Sequence, residues 1–200
     1  MSMIDHFSEL QTEQQRHDDL AHRDILCLPV QDRIRHMVLH FAKYCGHFAD
    51  IQDVHSEARF ISTLVDTTII CLASANSLSI KLADSIQDQV SRSDQTTKFK
   101  AQAGISQELS TEFFVQLSKV TGTMAKACES LDHLESFDYR GTLERGVITI
   151  ASLSAMVADR ARIDLPTLVR ARWERIERKF RPNQEVAPSG RSETLRLAKK

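Results

Sequence analysis

The stretch from His36 to Ala49 returns in fainter form from Glu112 to Ala125, and this recurrence constrains the fold more than any other feature. Lys43 matches Lys119, Gly46 matches Gly122 and Ala49 matches Ala125. A small residue, Ala42 or Ser118, stands four positions before each glycine. Around the first copy Ile34, Val38, Phe41, Cys45 and Phe48 recur at helical spacing and define one buried stripe. A chain written twice on such a plan folds as helices packed on helices, because a period near 3.6 gives no continuous apolar face to a strand. The paired small residues predict close backbone approach between helices.

The rest of the chain divides around these copies. Residues 1–30 are polar at first, with Asp18, Asp19 and Asp24 among Gln and His, and predict a short helix or a loose N-terminal arm. Residues 31–90 form the first repeat. Its second helix, Phe60 to about Leu78, is nearly all apolar or small, and its β-branched run Thr67-Thr68-Ile69-Ile70 needs tertiary packing to stay helical. Residues 91–105, polar at first with Ser91, Ser93, Asp94, Thr96 and Thr97, are expected to form a linker. Ser106 with Glu108 after it opens the second repeat, 106–181. Here helices over Thr111–Cys128 and Leu143–Val157 flank a polar turn at Asp132–Asp138. Asp164 caps the last helix and Pro166 falls in its first turn, where a missing N–H costs little. Arg170, Glu174 and Arg178, and Glu177 with Arg181, follow at four-residue steps that suit an exposed salt-bridged face. Residues 182–200 form a disordered basic tail.

Charge and composition exclude several classes. Twenty-six basic residues against twenty-seven acidic ones give no global pull toward nucleic acid or a membrane surface. The longest apolar run, Val147 to Ala158, is too short to span a bilayer, and no basic-then-apolar leader opens the chain, so a cytoplasmic protein with no membrane partner is expected. Cys27, Cys45, Cys71 and Cys128 are widely spaced without a CxxC pair and are expected as reduced, packed thiols. Basic residues outnumber acidic ones from Arg160 onward, but alternating Arg and Glu favour a solvated helix face over a nucleic-acid surface.

Ala158 through Leu165, followed by Val169-Arg170, Glu174-Arg175 and Arg178-Lys179-Phe180, resembles the end of MazG-like nucleoside triphosphate pyrophosphohydrolases. In that superfamily a helix ends near a Gly-Ile-Asp-Leu turn, and the next helix is basic, punctuated by Glu and closed by an aromatic. His40, Phe41, Ala42 and Gly46 likewise fit the entry and the glycine of the family's first core helix. The resemblance implies an all-α helical bundle made of two MazG-like halves in tandem. The core helices after the glycines pair Leu64–Leu82 with Val147–Leu165, so that Asn76 meets Asp159. It also implies nucleotide pyrophosphohydrolysis by Mg²⁺ held on carboxylates at helical spacing, which suits a hard cation. The family's acids are mostly replaced, however. The three Glu of its first helix correspond to Lys43, Tyr44 and His47, and in the second copy to Lys119, Val120 and Thr123. The ExxD pair corresponds to Thr63 and Asp66, then to Gly146 and Thr149. One surviving carboxylate cannot assemble the cluster, so Mg²⁺ enters only if another site exists, and no other cofactor is implied.

The candidate ligand-binding residues are therefore Lys43, His47, Asp66, Lys119 and Asn76. Lys43 and Lys119 can meet phosphate directly, or pair with local acids. Asp66, a carboxylate on an apolar helix, is expected to pair with Lys43. His36, His40, Lys43 and His47 share one face; the HxxxH spacing of His36 and His40 suits a transition metal, but a hydrogen-bonded polar face is the commoner use. Three functions follow. The first is a MazG-like relative that binds a nucleotide or other phosphate ligand without efficient hydrolysis, as a homo-oligomer. The second is a structural or regulatory interaction module using the basic C-terminal helix and tail. The third is residual hydrolysis through His36, His40, His47 and Asp66.

Overall fold

The computed structural model describes residues 3–92 and 104–180, and these form an all-α bundle of eight helices without a strand. The helices are α1 (Met3–Ala21), α2 (Arg23–Leu26), α3 (Val30–Val54), α4 (Glu57–Leu78), α5 (Leu82–Arg92), α6 (Gln107–Asp132), α7 (Tyr139–Ala161) and α8 (Leu165–Phe180). The four long helices close a ring in which α3 packs on α4 and α6, and α7 packs on α4 and α6. Each short helix that follows then crosses to the other half: α5 packs on α7, and α8 on α4. Phe48, Phe60 and Phe113 meet edge-to-face with centroids 5.0–5.8 Å apart and join α3, α4 and α6.

Local chemistry sets the helix ends. The Ser56, Ser106 and Asp138 side chains accept from the backbone N–H three residues on, at 3.4, 3.2 and 2.9 Å. The Asp138 cap requires glycine at 141, since a Cβ there would lie 2.3 Å from Asp138 Oδ2. α4 and α7 end alike. Ser79 and Arg162 are both left-handed (φ 58° and 56°), and Ile80 and Ile163 return their N–H groups to the carbonyls of Ala75 and Ala158. α4 buries its β-branched run by turning hydroxyls onto its own backbone. Thr63, Thr67, Thr68 and Ser74 each donate to the carbonyl four residues back at 2.7–2.8 Å. Among the described residues α4 alone is long and apolar enough to cross a membrane, a test the 147–158 run suggested none would meet, and most of it is buried in the bundle.

Three expectations need correction. Residues 3–21 are a docked helix rather than a loose arm: α1 buries Phe7, Leu10, Gln14, His17 and Asp18 against α4, α5 and α8. Gly46 and Gly122 do not mediate close helix approach, because both are exposed and an added Cβ would meet nothing within 4 Å. The tight glycine is Gly146 on α7, where a Cβ would lie 2.6 Å from Met124 of α6. The cysteines are unpaired, but Cys27 is exposed rather than packed. Cys45 and Thr121, at matched positions of the two copies, touch across the α3–α6 contact at 3.6 Å. The basic tail and most of the expected linker lie outside the described residues.

Candidate functional site

A cavity of about 250 Å³ opens between α1, α2, α3, α4 and α8. α3 supplies Arg33, His36, His40, Lys43 and Tyr44 to its lining, all on one face because they fall three or four residues apart. α4 adds Asp66, Ile69 and Ala73. Arg172 and Ile176 come from α8, one turn apart beside the buried Val169–Trp173 stripe. α1 contributes Gln14 and Asp18 one turn apart, His22 follows at the α1–α2 junction, and α2 closes one side with Ile25 and Leu26.

Asp66 is paired with Arg172, not with Lys43. Arg172 Nε and Nη2 donate to the two carboxylate oxygens at 2.8 and 3.0 Å, a bidentate geometry that only arginine offers. Lys43 instead lies 3.0 Å from His40 Nδ1 and 4.5 Å from the centre of the Tyr44 ring. His40 Nε2 lies 3.1 Å from His36 Nε2. These contacts fix one consistent tautomer set: His40 Nδ1 accepts from the Lys43 ammonium, so Nε2 carries the hydrogen and donates to His36. Burial, then the charges of Lys43 and His36, push the His40 pKa down to about 4, so His40 is neutral at physiological pH. Burial pushes the Tyr44 hydroxyl well above its usual range, with the Asp66 carboxylate adding to it, and Tyr44 stays a neutral hydroxyl.

The remaining charges leave the cavity positive. Arg33 presents a guanidinium whose buried Nε has no hydrogen-bond partner among the described residues. Asp18, 7% exposed, is pushed up to about 7 by burial, against a hydrogen bond from Gln14. Arg33, Lys43 and Arg172 thus face two carboxyls, one locked to Arg172 and the other about half protonated near neutrality. Such a surface, set against apolar walls, suits an anion carrying an organic body. Among the described residues no group of three or more His, Cys, Asp or Glu side chains converges as metal ligands would.

The structure therefore gathers His36, His40, Lys43 and Asp66 and leaves the other candidates elsewhere. His47 is exposed beside the far edge of Tyr44, with ring centres 5.9 Å apart, and does not line the cavity. Lys119 is exposed on α6, outside it as well. Asn76 serves the fold: its Nδ2 donates to the Gln11 carbonyl at 3.0 Å and ties α4 to α1. The α8 ladder also differs from expectation. Arg170 pairs with Glu13 of α1 at 2.8 Å, Glu177 meets His17 at 3.0 Å, and Arg178–Glu174 keeps the four-residue step at 3.9 Å, while Arg181, expected to pair with Glu177, lies outside the described residues. Sequence reasoning missed Arg33, Arg172, Asp18, Gln14 and His22. The signal for the α1 residues was their four-residue spacing, which marks one helix face; Arg172 was marked by its place beside Trp173.

No family model matches this sequence, and neither a curated protein nor a solved structure matches the chain.

Proposed function

We propose that this chain is a MazG-like relative that binds a nucleotide, or another phosphate ester with an organic body, without efficient hydrolysis. The observation that carries the reading is Lys43. It occupies a position where the resemblance puts a metal-binding glutamate, and it faces the same cavity as Arg33 and Arg172. A fixed ammonium there meets phosphate directly and disfavours a divalent cation beside it. The tandem arrangement belongs to the same proposal. It is supported by the identical left-handed ends of α4 and α7 and by contact between the matched residues Cys45 and Thr121. Self-matched contact of this kind marks a two-fold relation. The chain is further proposed to assemble as a homo-oligomer, which light scattering tests.

Thermal unfolding with nucleoside mono- and triphosphates, with and without Mg²⁺, tests the main reading. Ligand at a hundred times its Kd stabilises the native state by about 2.7 kcal/mol. The expected result is an upward shift that does not require Mg²⁺, without release of pyrophosphate. No shift with any nucleotide overturns the binding claim, and Mg²⁺-dependent pyrophosphate release overturns the claim of lost hydrolysis. The interaction-module alternative draws less support, because Arg170 and Arg172 of α8 are engaged by α1 and α4.

A further inference from the structure

Asp18 does nothing for the fold that an uncharged residue could not do better. Only 7% of the residue is exposed, and among the described residues no cation pairs with its carboxyl. A buried acid without a cation is a cost to stability. Its orientation is nevertheless fixed. Trp173 Nε1 donates to Gln14 Oε1 at 2.9 Å, and Gln14 Nε2 donates to Asp18 Oδ1 at 2.7 Å. Gln14 itself is 1% exposed. This relay occupies Oδ1 and leaves Oδ2 with no hydrogen bond among the described residues, on a side chain that lines the cavity.

We infer that Asp18 reads the base of the nucleotide, its free Oδ2 accepting from the exocyclic amino group of an adenine, cytosine or guanine ring. The inference rests on the nucleotide reading above. Ile25, Leu26, Ile69 and Ile176 give the same cavity apolar walls, which suit a flat heteroaromatic ring, while its cationic side chains take the phosphate. His22, at the junction of α1 and α2, does not compete for the carboxylate, because burial and the neighbouring His17 lower its pKa and disfavour its charged form. A base with a keto oxygen in place of the amino group would set two acceptors face to face in a site shielded from water. A site built to pair with a donor rejects that analogue strongly.

Calorimetric titration of the full chain at pH 8, where Asp18 is ionised and only accepts, tests this with five probes. Adenosine, cytidine and guanosine monophosphates should each bind at least about tenfold tighter than inosine and uridine monophosphates. Asp18→Asn keeps an oxygen for Gln14 and turns an amide N–H₂ toward the ligand, so the preference should reverse toward inosine and uridine. Lys43→Ala should weaken all five by a similar factor and leave their ratios unchanged. Equal binding of the five by the unaltered protein, or an unchanged ratio in Asp18→Asn, overturns the role of Asp18 and leaves the phosphate reading standing. If none of the five binds, the inference falls. The phosphate reading falls with it if inorganic pyrophosphate also fails to bind.

Discussion

In the proposed tandem arrangement Lys43 and Lys119 occupy the same place in the two copies, yet Lys43 lines the cavity between α1, α2, α3, α4 and α8 and Lys119 does not. The difference lies in what surrounds them. One turn before Lys43, His40 receives its ammonium; the matched residue before Lys119 is Gln116. Asp66, which anchors Arg172 at the cavity wall, is matched by Thr149 on α7. α1 adds the last wall, and it packs far more extensively on α4 than on α7. On this proposal a shared helical plan carries the candidate site in one half only, because the cavity needs walls from elements that the plan does not contain.

The comparison can be broken most severely at the core the halves share. Phe113→Ala removes one ring of the Phe48–Phe60–Phe113 cluster and should cost about 3–5 kcal/mol, read from denaturant unfolding. A loss confined to α6, with hydrogen exchange unchanged in α3 and α4, would show that the halves fold independently. Next comes the wall. Asp66→Ala strands the Arg172 guanidinium and should destabilise by about 1–3 kcal/mol, whereas Thr149→Ala at the matched site should be nearly neutral.

The lysines themselves sharpen the contrast. Lys43→Ala should weaken nucleotide monophosphate binding about tenfold, equivalent to about 1.4 kcal/mol, and Lys119→Ala should leave it unchanged. Equal effects of the two changes would remove the asymmetry on which the proposed site depends.

Proton linkage gives a subtler test. The Asp18 pKa is raised from 3.8 to about 7, so the native state holds this proton more tightly than the unfolded chain. Its contribution is fully present below pH 3.8 and is lost as pH rises toward about 7. The His40 pKa is lowered from 6.5 to about 4, so its contribution is present above pH 6.5 and lost as pH falls toward about 4. Across the shared window the two slopes oppose each other and the intact protein should be nearly flat. Asp18→Asn should leave stability rising with pH, and His40→Gln should leave it falling, each by at most about 1.4 kcal/mol per pH unit.

The smallest effects lie on the outer face of the repeated motif. Gly46→Ala and Gly122→Ala should each stabilise by about 0.5–1 kcal/mol, since both glycines are helical, exposed and free of neighbours that a methyl group would strike. Loss of stability on either change would restore the close-approach role that their spacing suggested.

What the sequence made legible was periodicity. The long helices, the Ser106 start, the Asp132–Asp138 break and the equivalence of Ser79 with Arg162 all follow from local patterns that act within a few residues. His36, His40 and Lys43 were legible as one face for the same reason. Partnership was not legible, because Arg172 reaches Asp66 across 106 positions and Trp173 reaches Gln14 across 159. Glu174 looked like a sufficient partner for Arg170, but spacing along a helix says nothing of the carboxylates another helix brings closer. The glycines misled for a related reason: four-residue spacing puts small residues on one face without saying whether anything packs there.

The ion pair between Glu13 of α1 and Arg170 of α8 has a consequence for how the protein is made. The two residues are 157 positions apart, and ribosomes add about 5–20 residues per second, so α1 waits roughly ten to thirty seconds for its partner helix. Until then α1 lacks α8 to pack on, Glu13 and His17 lack their α8 partners, and the cavity has no α8 wall. A nascent chain can therefore assemble α3 and α4 while the cavity proposed to bind a nucleotide is still open on its α8 side. Small-molecule rescue of folding should act only once α8 has emerged and docked on α1 and α4.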